Sequence, residues 1–188
     1  MRGYLLGILL GVVLLPVALL GWLWLGKVPV AVADPPFPHE QWIAGRLLHA
    51  RIDRELVKTP PIQADEANLV AGAHIYSEKC AACHGFHGKP STFGAQMFPP
   101  APPLWEKHPG SAAIGVSDDP PGETFWKVAN GIRLTGMPAF KGALTENEMW
   151  QVSQLAASAD KPLPAAAVNL LRGETPAPAV TRLKAKGE

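Results

Sequence analysis

The chain has 188 residues, 47% hydrophobic and 18% charged, with a net charge of +1. That balance gives no broad basic field of the kind nucleic-acid binding uses. A disulfide between its only two cysteines would close a two-residue loop, which stabilises little.

From Gly3 to Gly26 no residue is charged. Twenty-four residues at about 1.5 Å each reach about 36 Å, against a hydrocarbon core of about 30 Å. Secretory signals have a shorter apolar region, so the run reads as a retained transmembrane anchor, with Pro16 inside it and Trp22 and Trp24 near its far end. Ala31-Val32-Ala33 is a signal-cleavage pattern and keeps the alternative open, with Asp34 as the new N-terminus. Either way the remainder is exported. Arg2 and the α-amino group favour an inside N-terminus, weakly.

Four regions follow: 1–33 the membrane segment, 34–64 a linker, 65–160 the main domain, and 161–188 a Pro/Ala-rich tail. The linker opens with Asp34-Pro35-Pro36-Phe37-Pro38, which cannot be helical throughout. From His39 to Lys58 the spacing of Ile43, Leu47, Leu48, Ile52 and Leu56 predicts an amphipathic helix, with Arg46, Arg51, Arg54 and Lys58 elsewhere around it. It can pack on the main domain, lie on a membrane, or dock a partner. Thr59-Pro60-Pro61 ends it. The main domain carries six basic and ten acidic residues, so a strongly basic docking face is not assured. The tail reads as mostly disordered, with one short helix at 164–172.

Within 65–160 lies Cys80-Ala81-Ala82-Cys83-His84. C-x-x-C-H is the attachment pattern of covalent haem c. Residues three and four apart are neighbours on a helical turn. Cys80 and Cys83 can therefore form thioethers to two vinyl groups while His84 reaches the iron. A thioredoxin-like dithiol would need a strand–turn–helix setting, but the residues from Glu66 to Tyr76 read as helix. A zinc site through His87 would crowd four ligands into eight residues.

For the sixth iron ligand, Met137 stands between Gly136 and Pro138 in a segment that Pro138 keeps out of helix. Met97 is the runner-up, followed by His74, His87 and His108. Met149, beside Trp150 in a predicted helix over 145–159, reads as core.

The chain from 65 to 160 resembles a class I cytochrome c domain. The resemblance rests on Gly72-x-x-x-Tyr76, the Cys80–His84 motif with Gly85, a Pro-rich loop, Asn130-Gly131, Gly136-Met137-Pro138-Ala139-Phe140, and a last helix with Trp150. It implies an all-α class I cytochrome c fold around one covalent haem c, preceded here by a transmembrane helix and an amphipathic linker helix. It implies His84 and Met137 as axial ligands, and a first and last helix crossing closely, for which Gly72 against Trp150 would leave room. A backbone carbonyl within 98–104 would orient the His84 Nδ1 proton. Trp105, Trp126 and Arg133 are candidates for the haem propionates. The segment between Leu104 and Glu123 is longer than in minimal members. The implied role is electron transfer, not enzymatic catalysis, by a membrane-tethered protein. It would serve as a carrier or as a subunit of a membrane oxidoreductase, with redox-protein donor and acceptor and no nucleic acid. The haem domain would face the periplasmic side of a bacterial cytoplasmic membrane. The alternative is a haem-based sensor or peroxidase with an open sixth site.

Overall fold

Capping side chains and prolines stand at the start of several helices. In the computed structural model, which describes residues 2–108, 110 and 112–174, seven α-helices follow one another: α1 (Arg2–Leu25), α2 (Glu40–Glu55), α3 (Glu66–Lys79), α4 (Ala81–His84), α5 (Pro121–Asn130), α6 (Glu146–Ala156) and α7 (Ala165–Leu171), with a single 3-10 turn at Gly94–Gln96. Among the described residues there are no strands, only two isolated bridges, Phe86–Lys89 and Lys107–Ile114. The all-α expectation holds.

The chain divides into two compact units, Met1–Gly45 and Arg46–Glu188. In the first, α1 includes a 23-residue stretch, Gly3–Leu25, long and apolar enough to cross a membrane. Trp22 meets Phe37 edge-on at 6.0 Å between ring centroids. The Asp34 carboxylate accepts from the backbone N–H of Val30 and Ala31 and ties the segment at the A-x-A pattern into a turn. The Glu40 carboxylate accepts from Phe37 N at 2.8 Å and starts α2.

In the second unit, Asp65 caps α3 by accepting from Asn68 N at 2.9 Å. Pro121 opens α5, where a missing N–H leaves no unmet bond. Thr145 and Glu148 form a reciprocal capping box on α6. Those bonds hold the Glu148 carboxyl below the usual carboxylate range. This contribution is present above that range and is lost as pH falls through the folded pKa.

Helices α3 and α6 cross at Gly72. A Cβ there would run into the Gln151 carbonyl and stand 3.1 Å from Leu155 Cβ. The close approach is therefore made with Gln151 and Leu155. Trp150 instead stacks on Phe125 of α5, with centroids 4.0 Å apart and planes 9° from parallel. Gln151 Nε2 donates to Asn68 Oδ1 at 3.0 Å across the same crossing. The core around it gathers Leu69, Ala73, Tyr76, Val152 and Leu155. The short helix expected near 164–172 is present as α7, and Ala167, Leu170 and Leu171 are buried in this core. Up to Leu171 the tail is thus part of the fold. The disorder expected for 175–188 falls outside the described residues.

The crossing generates a test. Gly72→Ala should destabilise the folded protein by about 1–3 kcal/mol, the usual cost of overpacking, read from the denaturant midpoint with haem still attached. An unchanged midpoint would mean that the helices do not approach this closely.

Candidate functional site

The C-x-x-C-H segment sits where α3 gives way to α4. Cys80 ends α3, and its carbonyl accepts from Cys83 N at 3.1 Å and His84 N at 2.9 Å. One helical turn thus carries both cysteines and the histidine. Gly85 stops the turn with φ 78°, where a Cβ would stand within 3 Å of Lys89 and Pro90 backbone. Tyr76 Oη donates to Gly85 O at 2.6 Å. Ser91 Oγ donates to Ala82 O at 2.6 Å and accepts from Gly94 N at 2.9 Å. Gly94 then packs so close to the Cys83 carbonyl that no side chain fits.

His84 Nδ1 lies 2.8 Å from Pro102 O. A carbonyl can only accept, so Nδ1 carries the proton and Nε2 keeps its lone pair. Pro102 is the orienting carbonyl expected somewhere in 98–104. Burial lowers the His84 pKa, with the Pro102 bond opposing it, so the ring is held neutral, the form that ligates metal. Burial pushes the Cys80 thiol up to about 12, reinforced by charge repulsion from Cys83. A dithiol oxidoreductase needs the opposite shift, so Cys80 is poorly suited to thiol exchange.

Cys80, Cys83, His84 and Met137 line one cavity of about 490 Å³, within the size range of cofactor pockets. Its walls are mostly apolar. Met137 comes from the loop after α5. Ile132 N donates to Met137 O at 3.2 Å, Met137 N to Thr135 Oγ1 at 3.1 Å, and Phe140 N to Val128 O at 3.0 Å. Gly131, at φ 65°, lets this loop fold back against Ala139 and Met137 backbone.

Met97 lines the same cavity, with its sulfur packed on Gly136. Met149 is buried in the core, away from the cavity lining. His74, His87 and His108 are not in the lining. His74 is exposed, His87 borders a separate small cavity, and His108 Nε2 pairs with Gly115 O at 3.0 Å. The described residues contain no group of three or more His, Cys, Asp or Glu arranged for a metal ion.

The propionate candidates Trp105, Trp126 and Arg133 are not in the cavity lining. Trp105 packs edge-on against Tyr76 at 5.3 Å, Trp126 Nε1 donates to Glu55 at 2.8 Å, and Arg133 is exposed. Polar groups in the wall, besides Cys80, Cys83 and His84, include Thr124 and Lys127, one turn apart on α5, with Lys79, Tyr76 and Thr135. Thr124 Oγ1 is buried with no hydrogen-bond partner. An orphaned hydroxyl in an apolar cavity fits a bound group that brings its own acceptor, as the carboxylates of haem do. Lys127 is held by Asp119 at 3.1 Å and Glu123 at 2.7 Å. Nothing in the spacing of Thr124 and Lys127 singles them out, because one hydroxyl and one lysine on a helix are commonplace.

Helix α2, from Arg46 on, is part of this site. Ile52 is 1% exposed and Leu48 lines the cavity. Glu55 takes the Trp126 bond, His49 stands 3.6 Å from Glu123, and Gly122 leaves no room for a side chain beneath the Val57 carbonyl. Ile52→Ala should cost about 2–5 kcal/mol, as deletion of buried methyls does, measured by denaturation of the holo-protein. A cost near zero would mean that α2 is not packed here.

Residues 67–154 match the family model for subunit III of cbb3-type cytochrome c oxidase. No curated protein and no solved structure matches the chain. The match spans α3 to α6, including the C-x-x-C-H turn and the Met137 loop. Residues 67–154 therefore belong to a class I mono-haem cytochrome c domain, a haem-based electron-transfer domain that carries covalent haem c.

Proposed function

We propose that the protein is a membrane-tethered electron carrier in which Cys80 and Cys83 form the thioethers and His84 and Met137 are the axial ligands. The observation that carries this reading is the convergence of all four residues on one apolar cavity, with the His84 tautomer set by Pro102 and the ring kept neutral by burial. Bound haem supplies a reversible one-electron couple, and the residues around it set its potential and its access to water.

His84 is held from behind by a backbone carbonyl, and Met137 by a loop whose own hydrogen bonds close on Val128 and Ile132. Both donors are uncharged and fixed in place, so a change of iron charge need not move them. The apolar wall, including Leu48 and Val152, excludes water. Burial of this kind disfavours the more charged state and raises the potential. Cys80 and Cys83 are only partly buried, which makes their edge the route for electrons to a partner. Contacts with donor and acceptor are then small and transient.

Retention of α1 would hold the domain beside a membrane and replace bulk diffusion by a high local concentration, with the haem on the periplasmic side. The match to an oxidase subunit model favours a second version, in which the chain is a fixed subunit of a membrane oxidoreductase. Co-purification with other chains at constant stoichiometry separates the two.

Visible and near-infrared spectra test the ligation. The oxidised protein should be low-spin with a sulfur-to-iron charge-transfer band. Met137→Ala should lose the band, bind carbon monoxide when reduced, and shift the midpoint potential down by on the order of 0.1 V, within the roughly 0.8 V that axial ligands span. A high-spin spectrum in the unmutated protein would replace the carrier reading with a sensor or peroxidase.

A further inference from the structure

Helix α2 has two working sides, and only one is used by the haem domain. Residues four apart stack in rows along a helix. The row Leu48–Ile52 faces the haem cavity and core. The row Ile43–Leu47–Arg51–Glu55 and its neighbour Trp42–Arg46–Ala50–Arg54 are exposed throughout, and only Glu55, at the end of the helix, bonds to the haem domain, through Trp126. Trp42 is 66%, Ile43 49% and Leu47 68% exposed. Three large apolar side chains on one short helix face are unfavourable in water and mark an interaction surface. Arg46 and Arg54 are interleaved with them, and Lys58 follows just beyond the helix. Asp53 lies on an adjoining row, and Glu55 at the end of the Ile43 row is paired with Arg51 at 2.7 Å, which leaves Arg46 and Arg54 as the cations of the argument.

We infer that this face of α2 lies in the headgroup region of an anionic phospholipid membrane. Mixed apolar and cationic side chains fit that chemistry, the apolar groups entering the acyl boundary and the guanidinium groups meeting phosphates. An indole is favoured at that depth. Chain length supports the same occupant. Fourteen residues, Gly26 to His39, separate the ends of α1 and α2, and fully extended they reach about 50 Å at most. A face tethered that close to a bilayer meets headgroups at high effective concentration. The inference rests on the reading of α1 as a retained anchor. Its consequence is an orientation: α2 shields the haem cavity with one side and sits on lipid with the other, which holds the haem domain against the membrane surface and directs its exchange to partners in the same membrane.

The test uses full-length holo-protein in vesicles. With Cys80 and Cys83 in thioethers, Leu47→Cys and Lys141→Cys each provide a single thiol, and Lys141 is an exposed loop position on the haem domain. Flotation with the vesicles first reports on the anchor. Labelling by a membrane-impermeant maleimide is then compared in phosphatidylglycerol and phosphatidylcholine vesicles. Leu47→Cys should label at least about tenfold more slowly in the anionic vesicles, as expected for an interfacial apolar position, while Lys141→Cys labels equally in both. Adding Arg46→Gln and Arg54→Gln should restore the rate. Flotation with equal Leu47→Cys rates in both lipids would overturn the docking inference and leave the anchor standing. Protection only after solubilised membrane proteins are added would assign the face to a protein partner and also overturn it. Absence of flotation would remove the anchor and the inference together.

Discussion

The hydrogen bond from His84 Nδ1 to Pro102 O is the constraint on which the rest of the site depends. It joins the C-x-x-C-H turn to the Pro-rich loop that follows it, and so closes one side of the cavity. It also fixes the tautomer, leaving Nε2 as the only ring atom free to ligate. The other bonds around the turn serve the same end. Ser91 and Gly94 bring the loop back over Ala82 and Cys83, and Tyr76 secures Gly85 from within the core. Tyr76 is itself kept protonated by burial, so its hydroxyl remains a donor over the physiological range.

The cavity is enclosed by elements that the α3–α6 crossing brings together. Gly72 allows the two helices to touch backbone to backbone, and that contact sets the position of Tyr76 and Cys80 further along α3. Helix α5 stacks on α6 through Phe125 and Trp150 and presents Thr124 and Lys127 to the cavity. Helix α2, through His49 and Glu55, and Leu56 just after it then cover α5 from outside. A family domain of about ninety residues is thus enlarged at both ends, by α2 before it and by α7 after it. Both extensions bury side chains, so neither is a loose appendage.

The sequence was most legible where chemistry demands particular residues at particular spacings. The C-x-x-C-H turn and the uncharged N-terminal run can be read directly, because haem c attachment and a helix of membrane-crossing length each leave a specific pattern, and Pro138 marks the Met137 segment as loop. Helices α2, α3, α6 and α7 were legible as helical runs, with ends shifted by a few residues, and α2 stops at Glu55, short of Lys58; α5 was not foreseen. Partner choice across the fold was not legible. Gly72 could be seen to need a close neighbour, but which residue of α6 meets it depends on helix rotation, and Gln151 and Leu155 took the place expected for Trp150. Thr124 and Lys127 reach the cavity because α5 turns that face inward, which residue type alone does not reveal. The tail composition suggested disorder, yet Leu170 and Leu171 find apolar surface on the core. Composition does not record such a surface.

The central claim is that one haem is held between His84 and Met137. Proton–carbon NMR of the reduced protein, with its four methionine methyls labelled, tests it most directly. An iron-bound methionine methyl sits over the porphyrin and is displaced far upfield by the ring current. The account predicts one such resonance, present in Met97→Leu and absent in Met137→Leu. Its loss in Met97→Leu, or no upfield methyl at all, would contradict the assignment.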